Sequence, residues 1–308
     1  MTNNIIFVVG PTAIGKSDFA INLSKKINGS IINADSMQVY KELKILTARP
    51  NSIQTREIKH FLYGHKSGNE RYNVAKWCNE VKIKIKQLHK KNITPIIVGG
   101  TGLYIDKLIN GLANIPDIPE LLKVESEKII IEKGLEKFYE IVKKIDPHST
   151  NNIKPNDKNR LKRIWEVYNF TGKKLSQLIV EGNNFYLNKN INYKILLFLP
   201  NREKNYNKVN ERFVEMLNQG AIEEVEKLLD LKFNLSLPIM KAHGVPEISS
   251  FLENKITRSE CVALGQQVTR NYVKRQNTWW KSSNLKIFQK FNNFPNKIDI
   301  NSIKLDLI

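Results

Sequence analysis

A short segment near the start of the sequence constrains the fold more than any other. Five apolar residues, Ile5 to Val9, run directly into GPTAIGKS, which has the G-x-x-x-x-G-K-S spacing of a phosphate-binding loop. Beyond the loop, apolar residues from Phe19 to Ile27 recur at the spacing of one helical face. Strand, loop and helix in this order predict a phosphate site at the end of a buried strand. The predicted loop consists of Gly10, Pro11, Thr12, Ala13, Ile14, Gly15, Lys16 and Ser17.

The residue types of this loop suit the chemistry of phosphate binding. Glycines allow backbone N–H groups to close around phosphate oxygens, Lys16 adds a positive charge, and the Ser17 hydroxyl can bind Mg²⁺. ATP, GTP and a pyrophosphate ester would all fit such a loop. The loop alone therefore predicts a phosphate ligand without identifying it.

Further strand-like segments alternate with helical patterns, at 30–34, 94–98, 194–199 and 285–288. This alternation predicts an α/β fold in which a parallel sheet is flanked by helices, as in P-loop NTPases. The span 112–190 is helical in pattern and poor in strands, so we expect a helical insertion domain there. The phosphate-loop core would comprise 1–111 and 191–308, with long helices near 205–217 and 221–231 in its last part.

Composition limits the class of protein. No run approaches the roughly 18 apolar residues of a membrane span, and the first residues lack the positive charge that starts a signal peptide. We expect a cytoplasmic protein without a membrane partner, and a monomer. The net charge of +19 favours a polyanion such as nucleic acid, although the abundance of Lys, Asn and Ile is equally typical of a compositional bias. Cys78 and Cys261 lack metal-ligand spacing and are interpreted as core thiols.

The segment IINADSMQVY places Asp35 where a short apolar strand ends. In an open parallel sheet this edge faces the ligand. The carboxylate could hold Mg²⁺ beside a nucleotide, or accept a proton from an attacking group. A turn or helix-capping aspartate is the simpler alternative. Ser36, Gln38 and Tyr40 add hydrogen-bonding groups nearby and favour a functional role.

A third strand, in TPIIVGGTGLYI, ends at Gly99 and Gly100. Glycines there allow a ligand to approach the backbone closely, and Thr101 adds a hydroxyl. The alternative is a tight turn between strand and helix. No acidic residue follows this strand, which argues against a typical ATPase because such enzymes need a Walker B aspartate.

Two basic segments have helical patterns. In NRLKRIWEVYNFTGK, residues 159–173, an apolar stripe leaves Arg160 and Arg163 beside it. In VTRNYVKRQNTWWK, residues 268–281, basic side chains alternate with aromatic ones. Each alone is more typical of a solvated charged face, but mixed basic and aromatic groups suit RNA phosphates and unstacked bases.

Together these motifs resemble those of the tRNA dimethylallyltransferases. The matching segments lie between residues 10 and 280, in family order: GPTAIGKS, DSMQVY, TARP, VGGTGLYI, PNDKNRLKR followed by TGK, and KRQNTWW. The phosphate loop alone is unspecific, whereas the other segments together are highly specific.

The resemblance implies that the loop holds the pyrophosphate of dimethylallyl diphosphate, with Mg²⁺ bound at Ser17. Enzymes of the family transfer the five-carbon group to N6 of adenosine 37, next to the tRNA anticodon. Carried over by motif, Asp35 is the general base on N6 and Thr101 lies at the reaction channel. The residues expected to contact the anticodon stem-loop are Asp35, Ser36, Met37, Gln38, Thr101, Lys123, Asn159, Arg160, Leu161, Lys162, Arg163, Lys274, Arg275, Gln276, Thr278 and Trp279.

The sequence departs from the family pattern at Val245-Pro246, which replaces a usual Tyr-Lys pair, and at Asn159, which replaces a usual Gln. These changes leave the details of anticodon-loop contact open. Three alternative functions also stay open: the same prenyl transfer to a free adenine nucleotide, a P-loop kinase of a small metabolite, and a non-catalytic RNA-binding protein.

Overall fold

The computed structural model describes residues 4–151, 153–184, 186–187, 191–303 and 305. The chain forms two compact units: the first consists of Met1–Lys107 with Leu187–Ile308, and the second of Leu108–Tyr186. The predicted helical insertion ends at 190, which lies outside the described residues. The predicted division into a core and an insertion domain therefore stays a prediction.

A parallel sheet forms the centre of the first unit. The described strands of the chain are β1 (Asn4–Val9), β2 (Gly29–Asn33), β3 (His60–Phe61), β4 (Thr94–Gly99), β5 (Leu112–Ala113), β6 (Asn183–Asn184), β7 (Asn192–Phe198) and β8 (Gln289–Phe291). The described part of this sheet has the order β3-β2-β4-β1-β7-β8, and each neighbouring pair is parallel. β1 lies inside the sheet between β4 and β7, which explains why its residues from Ile5 to Val9 are apolar without alternation.

Helices connect the strands. Their bounds are α1 (Lys16–Lys26), α2 (Ser52–Glu57), α3 (Val74–His89), α4 (Gly102–Asn110), α5 (Glu120–Lys133), α6 (Leu135–Ile145), α7 (Pro147–Thr150), α8 (Lys158–Thr171), α9 (Leu175–Glu181), α10 (Arg202–Asn218), α11 (Ala221–Asp230), α12 (Val245–Leu252) and α13 (Arg258–Ser282). Short 3₁₀ turns cover Pro238–Lys241, Pro295–Lys297 and Ile300–Ser302. In the described residues, no helix combines the length and apolarity needed to cross a bilayer.

Alternate residues of β1 point to opposite faces of the sheet. Ile6 and Val8 pack in one apolar cluster with Phe19 of α1. Ile5 and Phe7 are fully buried as well, as expected for a strand covered on both sides. α3 is joined to the sheet by the fully buried Trp77, whose indole N–H donates to the Asn33 carbonyl oxygen at 2.7 Å.

The second unit is mainly helical. An apolar cluster joins its longer helices, with Ile130 from α5, Phe138 and Val142 from α6, and Trp165 from α8. The short strands β5 and β6 pair in antiparallel fashion. Asp146 is fully buried between α6 and α7, where its carboxylate accepts hydrogen bonds from Ser149 and Ser176. These bonds lower the pKa of Asp146, against the raising effect of burial.

The predicted fold class is confirmed: the structure has a parallel sheet flanked by helices. The predicted strand at 285–288 was wrong in position, because β8 occupies Gln289–Phe291. Leu285 is buried in irregular chain and Phe288 is exposed, and the Phe288 N–H donates to the Ile195 carbonyl oxygen at 3.1 Å, so pairing with β7 begins only at the end of the predicted segment. The pattern also gave no indication of the two-residue strand β3.

Candidate active site

The chain segments that follow β1, β2 and β4 leave the sheet at the same end of the strands. In the register of the strands, Val9 of β1 lies opposite Gly99 of β4, and Asn33 of β2 lies opposite Val98 of β4. The carboxyl ends of β1, β2 and β4 are therefore side by side, at the edge where open parallel sheets bind ligands. The phosphate loop, Asp35 and Thr101 follow these ends, so the sheet brings the predicted catalytic segments together.

The phosphate loop, residues 10–17, depends on unusual backbone angles. φ is 147° at Gly10, 62° at Ala13 and 91° at Gly15. A Cβ at position 10 would lie 2.3 Å from the Phe198 carbonyl oxygen, so that position requires glycine. Ala13 adopts the left-handed conformation despite its Cβ, which costs about 1 kcal/mol. Such a conformation persists only where neighbouring groups hold it.

Those neighbouring groups come from α10 and α13 and meet at Thr12. The Thr12 backbone N–H donates to Gln276 Oε1 at 2.9 Å, and Arg212 Nη2 donates to Thr12 Oγ1 at 3.0 Å. The loop is thus held through both its backbone and a side chain by helices from the far end of the sequence.

Lys16 is the first residue of α1. Its ammonium is partly buried and donates to the Pro11 carbonyl oxygen at 2.6 Å. Burial lowers the pKa of Lys16 to about 7; the charge of Arg212 acts in the same direction and the charge of Asp35 opposes it. The protein therefore compensates this cation poorly, and a bound anion would supply the missing negative charge.

Asp35 is positioned by its own local sequence. Its Oδ1 accepts the backbone N–H groups of Met37 at 2.8 Å and Gln38 at 3.3 Å, and its own N–H donates to Asn33 Oδ1 at 2.8 Å. This is the turn that aspartate side chains form readily with residues two and three positions ahead. Among the described residues, the second oxygen, Oδ2, has no hydrogen-bond donor, so that oxygen remains for a ligand.

Thr101 lies beside this turn, and its Oγ1 accepts the Ser36 N–H at 3.3 Å. The preceding glycines were predicted to allow close approach of a ligand; both line the phosphate cavity, and protein atoms also lie close to them. A Cβ at Gly99 would lie 2.2 Å from the Ala34 carbonyl oxygen, and one at Gly100 would lie 2.1 Å from the Gln276 amide nitrogen. Close packing therefore favours glycine at both positions, and close approach of a ligand stays a prediction.

A cavity of about 300 Å³ opens over the phosphate loop. We name it the phosphate cavity; its lining includes Thr12 to Ser17 of the loop together with Asp35, Arg212 and Gln276. A second cavity of about 130 Å³ shares Thr12, Asp35, Thr47 and Arg212 with it. We name this one the apolar cavity, because its further lining includes Met37, Leu46, Val209, Phe213, Met216 and Tyr272.

The segment carrying Leu46 and Thr47 is held by Glu224, which the motifs did not identify, and by Gln38, which they did. The Glu224 carboxylate accepts the backbone N–H groups of Lys44, Ile45 and Leu46 at 2.7 to 2.9 Å. From the other side, the Gln38 amide donates to the carbonyl oxygens of Thr47 and Ala48 at 2.8 and 3.1 Å. Gln38 was predicted to contact tRNA, but its described amide bonds position this wall of the cavities.

Arg212 is the principal site residue that sequence reasoning missed. It lines both cavities, and burial lowers its pKa against the opposing charges of Asp35 and Glu215. Neither Arg212 nor Lys16 forms an ion pair with a carboxylate in the described part of the chain. A signal for Arg212 did exist, since it lies on the same predicted helical face as Val209 and Met216, where an unpaired cation is unusual.

His243 and Tyr272 form part of the apolar cavity wall. Their rings lie 4.6 Å apart, and His243 Nε2 lies 3.1 Å from Arg275 Nη2. Burial, with Arg275, lowers the pKa of His243, so a neutral imidazole accepts this bond. Burial also raises the pKa of Tyr272, and the charge of Asp35 adds to that shift. This wall thus carries neutral hydrogen-bonding groups.

The predicted tRNA-contacting residues of α13 separate into two sets. Lys274, Arg275 and Thr278 are exposed, as a contact with RNA requires. Gln276 is only 5% exposed, bonds to the phosphate loop and lines the phosphate cavity, so its side chain faces the site rather than the outer surface of α13, and its contact with tRNA stays a prediction. Trp279 is partly buried against Gly102, where a Cβ would lie 2.0 Å from the indole ring.

The remaining predicted tRNA contacts lie in the second unit. Asn159 is exposed, Arg160 pairs with Asp157 at 3.2 Å, and Lys123 pairs with Glu120 at 3.0 Å. Lys162 pairs with Glu127 at 2.8 Å, and burial lowers the pKa of the Arg163 guanidinium. Leu161 is fully buried in the apolar cluster of this unit. Its side chain cannot reach RNA, so that prediction was wrong.

A metal site was predicted at Ser17. No cluster of three or more His, Cys, Asp or Glu side chains able to hold a metal exists among the described residues. Ser17 and Asp35 both line the phosphate cavity, however. Oxygen ligands from one or two side chains, completed by substrate phosphate oxygens and water, suit Mg²⁺. The residues present therefore fit a magnesium ion that arrives with a phosphate ligand.

The fold and site define a P-loop protein whose phosphate cavity adjoins an apolar one. Residues 38–283 match the model of the IPP transferase family. The chain belongs to this family, and the resemblance inferred from its motifs is confirmed.

Individual relatives are similar in sequence along nearly the whole chain. It is 40% identical over 308 residues to a tRNA dimethylallyltransferase of Pelagibacter ubique, covering 99% of this chain and 98% of that protein. It is 42% identical over 299 residues to one from Wolbachia pipientis of Culex pipiens, covering 96% and 95%.

Solved structures show the same similarity. A tRNA isopentenylpyrophosphate transferase from Bacillus halodurans has a TM-score of 0.67 and 27% identity, with 97% of this chain and 92% of that chain covered. A eukaryotic dimethylallyltransferase solved while acting on tRNA has a TM-score of 0.75 and 28% identity, with 90% and 69% covered.

Proposed function

We propose that this protein is a tRNA dimethylallyltransferase. It transfers the dimethylallyl group of dimethylallyl diphosphate to N6 of adenosine 37, beside the tRNA anticodon, and releases diphosphate. The observation that carries the proposal is the position of Asp35, which lines both the phosphate cavity and the apolar cavity. Family membership and the relatives' shared name support the same activity.

The phosphate cavity suits the diphosphate group. Lys16 and Arg212 lack carboxylate ion pairs among the described residues, and both have pKa values lowered by burial. A polyanion bound between them would supply the negative charge that these partly buried cations lack. The walls of the neighbouring apolar cavity, such as Met37 and Phe213, suit an apolar prenyl chain or a purine ring.

The transfer then requires one displacement. The N6 nitrogen of adenine forms a bond to the allylic carbon C1, the bond from C1 to the diphosphate oxygen breaks, and diphosphate leaves with the electron pair. The proton of N6 passes to Oδ2 of Asp35. Lys16 and Arg212 stabilise the negative charge that develops on the leaving oxygen. The adenine must leave its stack to reach this position.

Mg²⁺, which Ser17 would help to hold, would neutralise charge on the diphosphate oxygens when bound. The RNA lies outside the cavities in this proposal. Lys274, Arg275 and Thr278 are exposed on α13, where positive charge and hydroxyl groups suit a phosphate backbone. The exposed Asn159 and Arg160 of the second unit are proposed as further backbone contacts.

The structure favours this reaction over a kinase reaction. β4 lies beside β1 and ends at Gly99, followed by Gly100 and Thr101, without the aspartate that a Walker B strand supplies. The predicted cytoplasmic location, monomeric state and domain boundaries stay predictions.

The proposal is tested by incubating the protein with Mg²⁺, dimethylallyl diphosphate and an unmodified anticodon stem-loop RNA. Nucleoside mass spectrometry should detect one dimethylallyl group on the adenosine 3′ of the anticodon. A parallel RNA with guanosine at that position should remain unmodified. Transfer of radiolabelled phosphate from ATP to a metabolite, without prenyl transfer, would support a kinase instead. RNA binding without turnover would support a non-catalytic RNA-binding protein.

A further inference from the structure

α13 presents different groups to solvent and to the phosphate loop within a single turn. Lys274, Arg275 and Thr278 are exposed, whereas Gln276 is 5% exposed and accepts the Thr12 N–H at 2.9 Å. Successive residues of a helix point in directions about 100° apart, so neighbours in sequence can serve opposite faces. The same helical turn therefore reaches a basic surface and the backbone of the phosphate loop.

α13 is also firmly joined to α10, the other helix that holds the loop. Gly265 packs so closely on Phe213 that a Cβ would lie 2.0 Å from its ring. Arg270 Nη1 donates to Asn210 Oδ1 at 2.7 Å. A restraint on α13 is consequently also a restraint on α10, which carries Arg212.

The loop needs such external support. Ala13 has φ of 62°, a left-handed conformation that a residue with a Cβ keeps only where its surroundings hold it. The adjacent Thr12 is the residue that both helices bind, through Gln276 Oε1 and through Arg212 Nη2. The shape of the loop therefore depends on where α13 lies.

We propose that Gln276 is a positioning residue that couples RNA binding on the exposed face of α13 to diphosphate binding in the phosphate loop. The inference rests on the proposed function, because it takes RNA and diphosphate as the ligands. RNA bound at Lys274 and Arg275 restrains α13 and holds Gln276 against Thr12. The loop is then already ordered when diphosphate arrives, so binding loses less conformational freedom.

The coupling has a defined thermodynamic form. RNA raises the affinity for diphosphate by some factor, and diphosphate must raise the affinity for RNA by the same factor. A purely structural role for Gln276 would change the stability of the fold without changing this factor. The factor is therefore the quantity to measure.

The experiment uses the full chain, inorganic diphosphate and Mg²⁺ at fixed ionic strength. Calorimetric titration gives the diphosphate dissociation constant with and without a saturating unmodified anticodon stem-loop RNA. In the unmodified protein we expect RNA to tighten diphosphate binding by about five-fold or more, the lower end of typical coupling. Gln276→Met keeps the length of the side chain but removes the acceptor for Thr12, so the ratio of the two constants should fall to about one.

The matched control is Gln267→Met, on the same helix. The Gln267 side chain is exposed and has no hydrogen bond to α10 or to the phosphate loop among the described residues. This variant should keep the coupling factor. Both substitutions leave the net charge unchanged, so electrostatic repulsion between the two polyanions is the same in all three proteins.

A second variant, Gln276→Glu, keeps an oxygen acceptor for the Thr12 N–H. It should retain coupling although its charge weakens diphosphate binding with and without RNA. Circular dichroism checks that each variant is folded. Coupling that persists in Gln276→Met would overturn this inference but not the proposed function. The same holds if the unchanged protein binds both ligands with a coupling factor of one. A protein that binds neither ligand would overturn the proposed function as well.

Discussion

The strand-end site and the basic surface of α8 both carry cations, of which the sequence predicted all but Arg212 to be functional, but the surroundings of those cations differ. At the site, Lys16 and Arg212 are partly buried and lack carboxylate ion pairs among the described residues. On α8, Lys162 pairs with Glu127 at 2.8 Å and the 69% exposed Arg160 side chain pairs with Asp157 at 3.2 Å.

This difference shows which charges are available to a ligand. The two site cations have no carboxylate partner among the described residues, and burial lowers the pKa of both. An anionic ligand therefore gains strongly from binding beside them. On α8 the partners already neutralise the charge in water, where each pair is worth about 0 to 1 kcal/mol. Point changes should therefore have large and specific effects at the site and small, salt-dependent effects on α8.

The largest expected effect belongs to Asp35. Asp35→Asn keeps an oxygen that can accept the N–H groups of Met37 and Gln38, so the turn should survive. The variant loses the proton acceptor, and removal of a general base costs about 10² to 10⁴ in rate. Single-turnover rates with both substrates saturating measure the loss, while binding of both substrates should change little.

The exposed Asp230→Asn at the end of α11 serves as the control and should react at the normal rate. A metal ligand at position 35 would behave differently from a base. Recovery of Asp35→Asn to near the normal rate at high Mg²⁺ would show that Asp35 holds the metal, and the base assignment would be wrong.

Sequence reasoning identified the parts of the site that depend on local sequence. The loop follows from a spacing of eight residues, and Asp35 forms its turn with residues two and three positions ahead. Gln276 and Arg212, by contrast, meet Thr12 across separations of 264 and 200 residues. Tertiary packing alone decides such contacts, and a single sequence holds no record of them.

Leu161 and Gln276 show a second limit of prediction from motifs. Leu161 belonged to the apolar stripe of α8, yet the family motif assigned it to RNA, and the stripe proved correct because Leu161 is fully buried. Gln276 lay in a motif of exposed cations, but helical geometry turns it inward. A motif identifies a segment of chain, whereas helical periodicity decides which of its side chains face a ligand.

The next largest effect is expected at Lys16. Lys16→Met keeps most of the aliphatic chain and removes the ammonium, which is proposed to bind the diphosphate directly. Loss of a hydrogen bond to a charged group costs about 1.5 to 3 kcal/mol, so diphosphate binding should weaken about 10- to 150-fold. Titration calorimetry measures this change.

The control for Lys16 is Lys25→Ala at the other end of α1, where a half-exposed lysine pairs with Glu57 at 3.0 Å. It should bind diphosphate normally, and both variants should bind RNA normally. Equal losses in the two variants would mean that general positive charge, rather than the loop lysine, attracts diphosphate.

A smaller effect should appear as a function of pH. In the free protein the pKa of Lys16 is lowered to about 7, and bound diphosphate raises it. Above pH 7 the neutral amine must take up a proton to bind, so affinity falls as pH rises, by at most about ten-fold per pH unit. Diphosphate also ionises, so the slope is compared with that of Lys16→Met, which lacks the amine. Identical slopes would contradict a titrating lysine in the site.

The smallest effects concern the basic helices. Lys274 and Arg275 of α13 lack carboxylate ion pairs among the described residues. Arg275 instead forms a hydrogen bond with the neutral His243. Changing both to Gln should reduce the slope of log affinity for anticodon stem-loop RNA against log salt by about 0.7 per contact, or about 1.4 together. Arg160→Gln with Lys162→Gln on α8 should reduce it less, because these cations are already paired with Asp157 and Glu127.

Changing the exposed Lys286 and Lys290 to Gln removes the same charge elsewhere and should leave the slope unchanged. Equal slopes for all three double variants would mean that the net charge of +19, rather than the position of each cation, controls RNA binding. The proposed difference between paired and unpaired cations would then be wrong.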